Sequence, residues 1–157
     1  MADKHDERYV KQAIENAWNH FLKQDYQLLV KDVNERSITH KFAEHLKSQF
    51  PTWHIDCEYN RDGVDPKKVH LEPVEVRSDD DTGESVFPDI IVHERGTSNN
   101  LLVIEAKKDS NTSDPEAVRK DKMKLDAYKR DLGYVFGLFL KFNTGRNFGV
   151  HPAEDWV

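Results

Sequence analysis

Apolar residues recur at intervals of three and four from Asp6 to about Phe21, at Tyr9, Val10, Ile14, Ala17, Trp18 and Phe21. At 3.6 residues per turn that spacing lines one side of a helix, so an amphipathic N-terminal helix is predicted over about 6–21. A second helix is predicted from Glu35 to Gln49, with Ile38, Phe42 and Leu46 spaced by four, Asn34 as N-cap and Pro51 as the stop. The period then changes. From His54 to Tyr59, Ile55 and Cys57 alternate with Asp56 and Glu58, the pattern of a short strand at or near a sheet edge.

Asn60 to Ser85 is rich in Asp, Gly and Pro and has little period, so it reads as a long loop with a short strand around Val69 to Val76. Val86 to His93 and Leu101 to Lys107 are β-rich runs joined by a turn containing Gly96, Asn99 and Asn100, which predicts an antiparallel hairpin. Asp114-Pro115-Glu116 opens a third helix: Asp caps, Pro suits the first helical position, and Glu meets the positive end of the dipole. That helix should reach about Leu132 and stop at Gly133, after which Tyr134 to Phe142 is apolar enough for a strand covered on both faces.

A length of 157 residues suits one domain spanning 1–157. With 37% hydrophobic and 33% charged residues, the chain retains enough apolar surface for an ordered core. The single cysteine, Cys57, closes no internal disulfide, and no charged leader with an apolar stretch opens the chain, so a reducing cytoplasm is the expected setting. The longest apolar run, Tyr134 to Leu140, falls far short of the roughly 20 residues a membrane-spanning helix needs.

The net charge of -6 argues against broad binding to phosphate backbones, but the charges are unevenly spread. Between Glu72 and Glu84 six acidic residues accompany one basic residue, Arg77, whereas Pro115 to Leu132 holds six Lys and Arg against four acidic residues. By default those basic residues form a solvated helix face with partners one turn away. The same face, Lys120 and Lys124 included, offers a polyanion its best landing surface.

The residues with the clearest chemistry lie in the hairpin. Asp89 follows Pro88 on the first strand, and Glu105-Ala106-Lys107 ends the second. Side chains alternate across a strand, so Glu105 and Lys107 share a face, and Asp89 joins them if the pairing register allows. Carboxylates held together near a core must pair, protonate or bind metal. A hard cation such as Mg²⁺ or Mn²⁺ suits one or two carboxylates plus water and phosphate oxygens.

Pro88-Asp89, fifteen intervening residues, then Glu105-Ala106-Lys107 resembles the PD-(D/E)xK nuclease superfamily, which has the restriction-endonuclease-like fold. The predicted order of helix, three strands, helix and strand matches that family's α-β-β-β-α-β core over about 35–142, with an extra N-terminal helix in front. The resemblance implies a mixed central sheet flanked by helices, and metal coordination by Asp89, Glu105 and the carbonyl of Ala106. It further implies that Lys107 orients or deprotonates the attacking water. Many members add an acidic residue from the first core helix, for which Glu35 is the candidate and Glu44 the alternative. Some helicase-associated members carry Gln and Tyr four apart on the second helix. Lys124 and Tyr128 occupy those positions here, so Lys120, Lys124 and Tyr128 are the expected nucleic-acid contacts.

Other chemistries lack their patterns. His40 and His45 are five apart rather than four, and no HExxH or Cys-His spacing suggests zinc. His93 reads as a surface or loop-packing residue. No Gly-rich phosphate loop or Ser-His-Asp order is present. The expectation is a Mg²⁺- or Mn²⁺-dependent nuclease acting on DNA, with RNA as a further substrate class and specificity supplied by the Asn60 to Ser85 loop, the N-terminal helix, a second subunit or a partner protein. The rival is a catalytically silent module of the same fold that binds protein or nucleic acid.

Overall fold

From Glu7 to Val30 the chain contains neither glycine nor proline, and in the computed structural model α1 (Glu7–Val30) runs that whole distance, with a kink at Asp25 (φ -125°, ψ 22°). The helix therefore ends nine residues beyond the 6–21 pattern, since Leu29 continues the buried stripe past Phe21. The structure describes residues 6–59, 68–69, 84–85 and 87–157.

α2 (Glu35–Gln49) has its predicted bounds, and the Asn34 side chain accepts a hydrogen bond from the Ser37 N–H at 2.8 Å. β1 (His54–Cys57) stops two residues early, where Glu58 takes a left-handed conformation (φ 52°). β2 (Lys68–Val69) pairs with β3 (Glu84–Ser85) in a separate two-stranded ribbon; most of the strand predicted over 69–76 lies outside the described residues. β4 (Ile90–His93) and β5 (Asn100–Lys108) make the predicted antiparallel hairpin. α3 (Pro115–Leu132) then crosses to β6 (Phe136–Phe142), which pairs parallel to β5. β7 (Ala153–Trp156), which the pattern does not predict, adds antiparallel to β6. The main sheet is thus mixed, in the order β1-β4-β5-β6-β7.

Alternation along the central strands sorts the core into two layers. Ile90, Val92, Leu102, Ile104 and Ala106 point towards α1 and α2 and pack with Trp18, Phe21, Ile38 and Phe42. Ile91 and Val103 point the other way, towards Leu125, Tyr128 and Leu132 of α3. His93, expected as a surface or loop-packing residue, is only 1% exposed, and its Nε2 lies 2.7 Å from Asp56 of the neighbouring strand. Asp56 also takes two hydrogen bonds from the Arg95 guanidinium. Burial opposes the Asp56 charge, but Arg95 and His93 outweigh it and hold the carboxyl below its ordinary range.

Gly133 ends α3 at φ 71°, where a side chain is disfavoured sterically even though open space surrounds the position. Gly133→Ala should cost about 1 kcal/mol through backbone strain alone. Urea denaturation should show a lower midpoint with an unchanged slope, and an unchanged midpoint would contradict the assignment. Among the described residues no helix is long and apolar enough to cross a membrane.

Candidate active site

The site forms where β4 begins and β5 ends. Ile90 pairs with Ile104, so continuing the register by one residue sets Asp89 opposite Glu105. Opposed residues present their side chains to the same face. That face is the α3 side, because Asp89 has the parity of Ile91, and Glu105 that of Val103. Asp89 Oδ2 also accepts a hydrogen bond of 2.8 Å from the Ala106 N–H. In a strand the N–H and C=O of one residue project to the same neighbour, so the Ala106 carbonyl is directed to the Asp89 side as well.

Glu105 is 4% exposed. The Tyr128 hydroxyl donates to its Oε1 at 2.9 Å, and its carboxyl hydrogen-bonds to Asp89. Burial is the main force on both acids. For Asp89 it is countered by the Ala106 N–H and the bond to Glu105, while Asp121 and Glu35 add repulsion, leaving the carboxyl above its ordinary range. Glu105 is pushed well above its own range by burial, by the Asp89 charge and by hydrogen bonding to Asp89, against partial relief from Lys124. The two carboxyls thus form an interacting dyad, with Glu105 the more strongly shifted of the two because it is the more deeply buried.

Lys107 shares the Glu105 face, as strand alternation requires, but its ammonium is not given over to the dyad. Its Nζ lies 3.0 Å from Asp121 Oδ2 on α3, and Lys124 Nζ lies 3.6 Å from the other oxygen. Burial disfavours the Lys107 charge, yet the Asp121 hydrogen bond and the negative field of Asp121, Glu35 and Asp89 prevail, so its pKa is raised. Lys107 therefore stays protonated at neutral pH.

Asp121 is the site residue that the sequence reading missed. The signal was present: Val118, Asp121, Leu125, Tyr128 and Leu132 recur at three and four, so an aspartate stands within the apolar stripe of α3. A buried carboxylate on such a stripe needs a partner, and Lys107 supplies it.

Two expectations are corrected. Tyr128, expected to contact nucleic acid, is 1% exposed; its ring belongs to the α3 core and its hydroxyl holds Glu105, because it sits on the helix face turned to the sheet. Glu35, expected as a metal ligand, stands at the start of α2, where its carboxylate accepts from the Lys108 N–H at 3.2 Å and from Asn111 Nδ2 at 2.9 Å. Among the described residues Asp89, Glu105 and Glu35 do not bring three ligand oxygens within 4.8 Å of one another. The main-chain and amide donors draw Glu35 to the end of β5, so it acts on Asp89 and Lys107 through its field. Glu44, the alternative, is exposed and pairs with His40 and Lys41 of its own helix. Lys120 is exposed on α3, and Lys124 is half-buried beside Asp121.

A groove of about 1200 Å³ between α2 and β1 leads to Asp89, with Glu35, Thr39, Ala43, Ile55 and Cys57 among its lining residues. Burial, then the charges of Asp56, Asp89, Glu58 and Glu44, pushes the Cys57 thiol up to about 11. That value marks the thiol as unreactive at neutral pH and the groove as electronegative. Among the described residues, Asp89, Glu105, Asp121 and Glu35 are set around the dyad against the ammonium groups of Lys107 and Lys124. The donors are all oxygens and the charge balance is negative, a combination that suits a hard divalent cation at Asp89, Glu105 and the Ala106 carbonyl.

Comparison of the chain with protein-family models, with characterised proteins and with solved structures gives no match.

Proposed function

We propose that the chain is a metal-dependent nuclease of the PD-(D/E)xK type, with a restriction-endonuclease-like core, that hydrolyses phosphodiester bonds in DNA. The observation that carries this reading is the Asp89–Glu105 dyad, a half-buried and a buried carboxyl from adjacent strands, with Lys107 on the same face. Mg²⁺ or Mn²⁺, when bound, supplies Lewis-acid activation of water and offsets charge at the scissile phosphate. Asp89 and Glu105 would hold it, with the Ala106 carbonyl as a third donor.

The chain's own groups divide the remaining work. Tyr128 fixes the orientation of Glu105 through its hydroxyl, and the Ala106 N–H fixes Asp89. Lys107, protonated, orients the attacking water and steadies negative charge at the phosphate, so deprotonating the water is not its part. Asp121 keeps the Lys107 ammonium within reach of the site and sustains its charge. Lys120 and Lys124, one turn apart on α3, would serve as phosphate donors.

Purified protein with Mg²⁺ or Mn²⁺ should cleave single-stranded or duplex DNA, with RNA run in parallel to fix the substrate class. Asp89→Ala, Glu105→Ala and Lys107→Ala should each lower the rate by at least about 100-fold. Wild-type rates in all three variants would refute the assignment. The commitment of Lys107 to Asp121 favours a second reading, a catalytically silent module of the same fold. Calorimetric titration separates the two, because a silent module shows no Mg²⁺ or Mn²⁺ binding that depends on Asp89 and Glu105.

A further inference from the structure

We infer that Glu15, His151 and Glu154 form a second cation site, sharing no residue with the Asp89–Glu105 dyad, for a borderline transition-metal ion such as Zn²⁺. One ligand atom from each of the three residues lies within 4.8 Å of the others. They come from α1, from the segment before β7 and from β7 itself, and Glu15 and His151 are 136 positions apart in sequence. The fold, and not local chain geometry, brings them together.

The state of His151 points to a metal. Its Nδ1 lies 2.8 Å from the Pro152 carbonyl oxygen, which accepts hydrogen bonds and donates none, so Nδ1 carries the hydrogen. Nε2 lies 2.6 Å from Glu15 Oε2, which also only accepts, so in this structure Nε2 carries a hydrogen too, and a metal bound there would take that proton's place. Metal-binding histidines characteristically give their other ring nitrogen to a backbone carbonyl or carboxylate, which sets the tautomer and aims the lone pair. Trp18 packs edge-on against the imidazole (ring centroids 6.0 Å apart, 66° between planes) and restrains the ring's orientation.

The charge balance points the same way. Two carboxylates face one imidazole, so a protonated ring leaves the group net negative, whereas a divalent ion bound to the neutral ring neutralises it. One nitrogen and two oxygens with a fourth position open to water is a donor set that Zn²⁺ accepts. An imidazole ligand favours Zn²⁺ or Co²⁺ over Mg²⁺, which prefers oxygen alone. An ordinary surface ion pair accounts for Glu15 and His151, and Glu154 adds a third ligand atom within 4.8 Å of the other two. Binding here joins α1 to the edge strand β7, so the ion acts as a structural clamp.

The test uses the full chain carrying Asp89→Asn and Glu105→Gln, which removes the first site. Calorimetric titration of that protein with Zn²⁺ should show one ion bound per chain, and Co²⁺ should quench tryptophan emission through Trp18. Adding His151→Ala should weaken Zn²⁺ binding by about 100-fold or more, and adding Glu154→Gln by about 10-fold. His151 and Glu15 have side chains 44% and 42% exposed, and Glu154 is exposed too, so these substitutions leave the core intact. Saturable 1:1 binding lost in both variants supports the site. No saturable binding in the Asp89→Asn, Glu105→Gln protein, or binding untouched by both further substitutions, overturns it.

Discussion

Glu105→Gln is expected to make the metal-free protein more stable at neutral pH while abolishing metal-dependent hydrolysis. Glu105 is buried beside Asp89, and burial followed by the Asp89 charge raises its folded-state pKa well above the ordinary value. An acid of this kind binds its proton more tightly when the protein is folded. Its stabilising effect is complete below the unfolded-state pKa and is lost as the pH rises towards the folded value, at up to about 1.4 kcal/mol per pH unit for one proton. Glutamine keeps the shape of the side chain, can accept from Tyr128 through its carbonyl and can donate to Asp89 through its amide. It also removes the charge.

The gain at pH 7 should be about 1–2 kcal/mol, within the range that follows when a strained functional site is relieved. Urea midpoints measured from pH 5 to 8 with a chelator should fall with rising pH in the wild type and much less in Glu105→Gln. Mg²⁺ should then stabilise the wild type and leave the variant unmoved, since ligand binding stabilises only a protein that keeps its site. Parallel pH curves for the two proteins would mean that Glu105 is not held protonated by its surroundings.

How much of this was legible beforehand depended on whether a residue obeyed one strong local rule. Glu105 and Lys107 fall on one face because strand alternation admits nothing else, and the bounds of α2 and α3 followed from Asn34, Asp114-Pro115 and Gly133. Asp89 opposite Glu105 needed the register, which the apolar pairs Ile90–Ile104 and Ile91–Val103 set by burial on both faces. The features that escaped lack such a rule. β7 is short and largely exposed and has no alternation, so its existence depends on the open edge of β6. The direction of Glu35 was decided by two donors, Lys108 N–H and Asn111, that reach it only after β5 has passed the start of α2. Tyr128 misled because the resemblance counted it among the nucleic-acid contacts, although its spacing from Leu125 and Leu132 already sets it on the apolar stripe of α3.

Phe142→Ala should produce the largest loss of stability among single core truncations around the site, about 3–5 kcal/mol. Its ring is fully buried and meets three other aromatics: Phe42 edge-on at 5.2 Å between centroids, Phe21 stacked at 6.0 Å and Trp18 tilted at 6.4 Å. One side chain of β6 therefore ties both helices of the α1–α2 layer to the sheet. Truncation removes apolar burial from all of them and leaves a cavity that the two helices and the sheet cannot all close upon at once. A domain of this size has about 5–15 kcal/mol of total stability, so the loss takes a large share of it. Phe142→Leu, which fills much of the volume, should cost about 1–2 kcal/mol. The effect bears on the site as well, because Phe142 pairs with Lys108 in the parallel ladder, one residue beyond Lys107. Activity in Phe142→Ala should accordingly match the wild type at low temperature and collapse at a temperature lowered in step with the unfolding midpoint. A loss below about 1 kcal/mol by urea denaturation would show that the aromatic cluster does not join the layers as described.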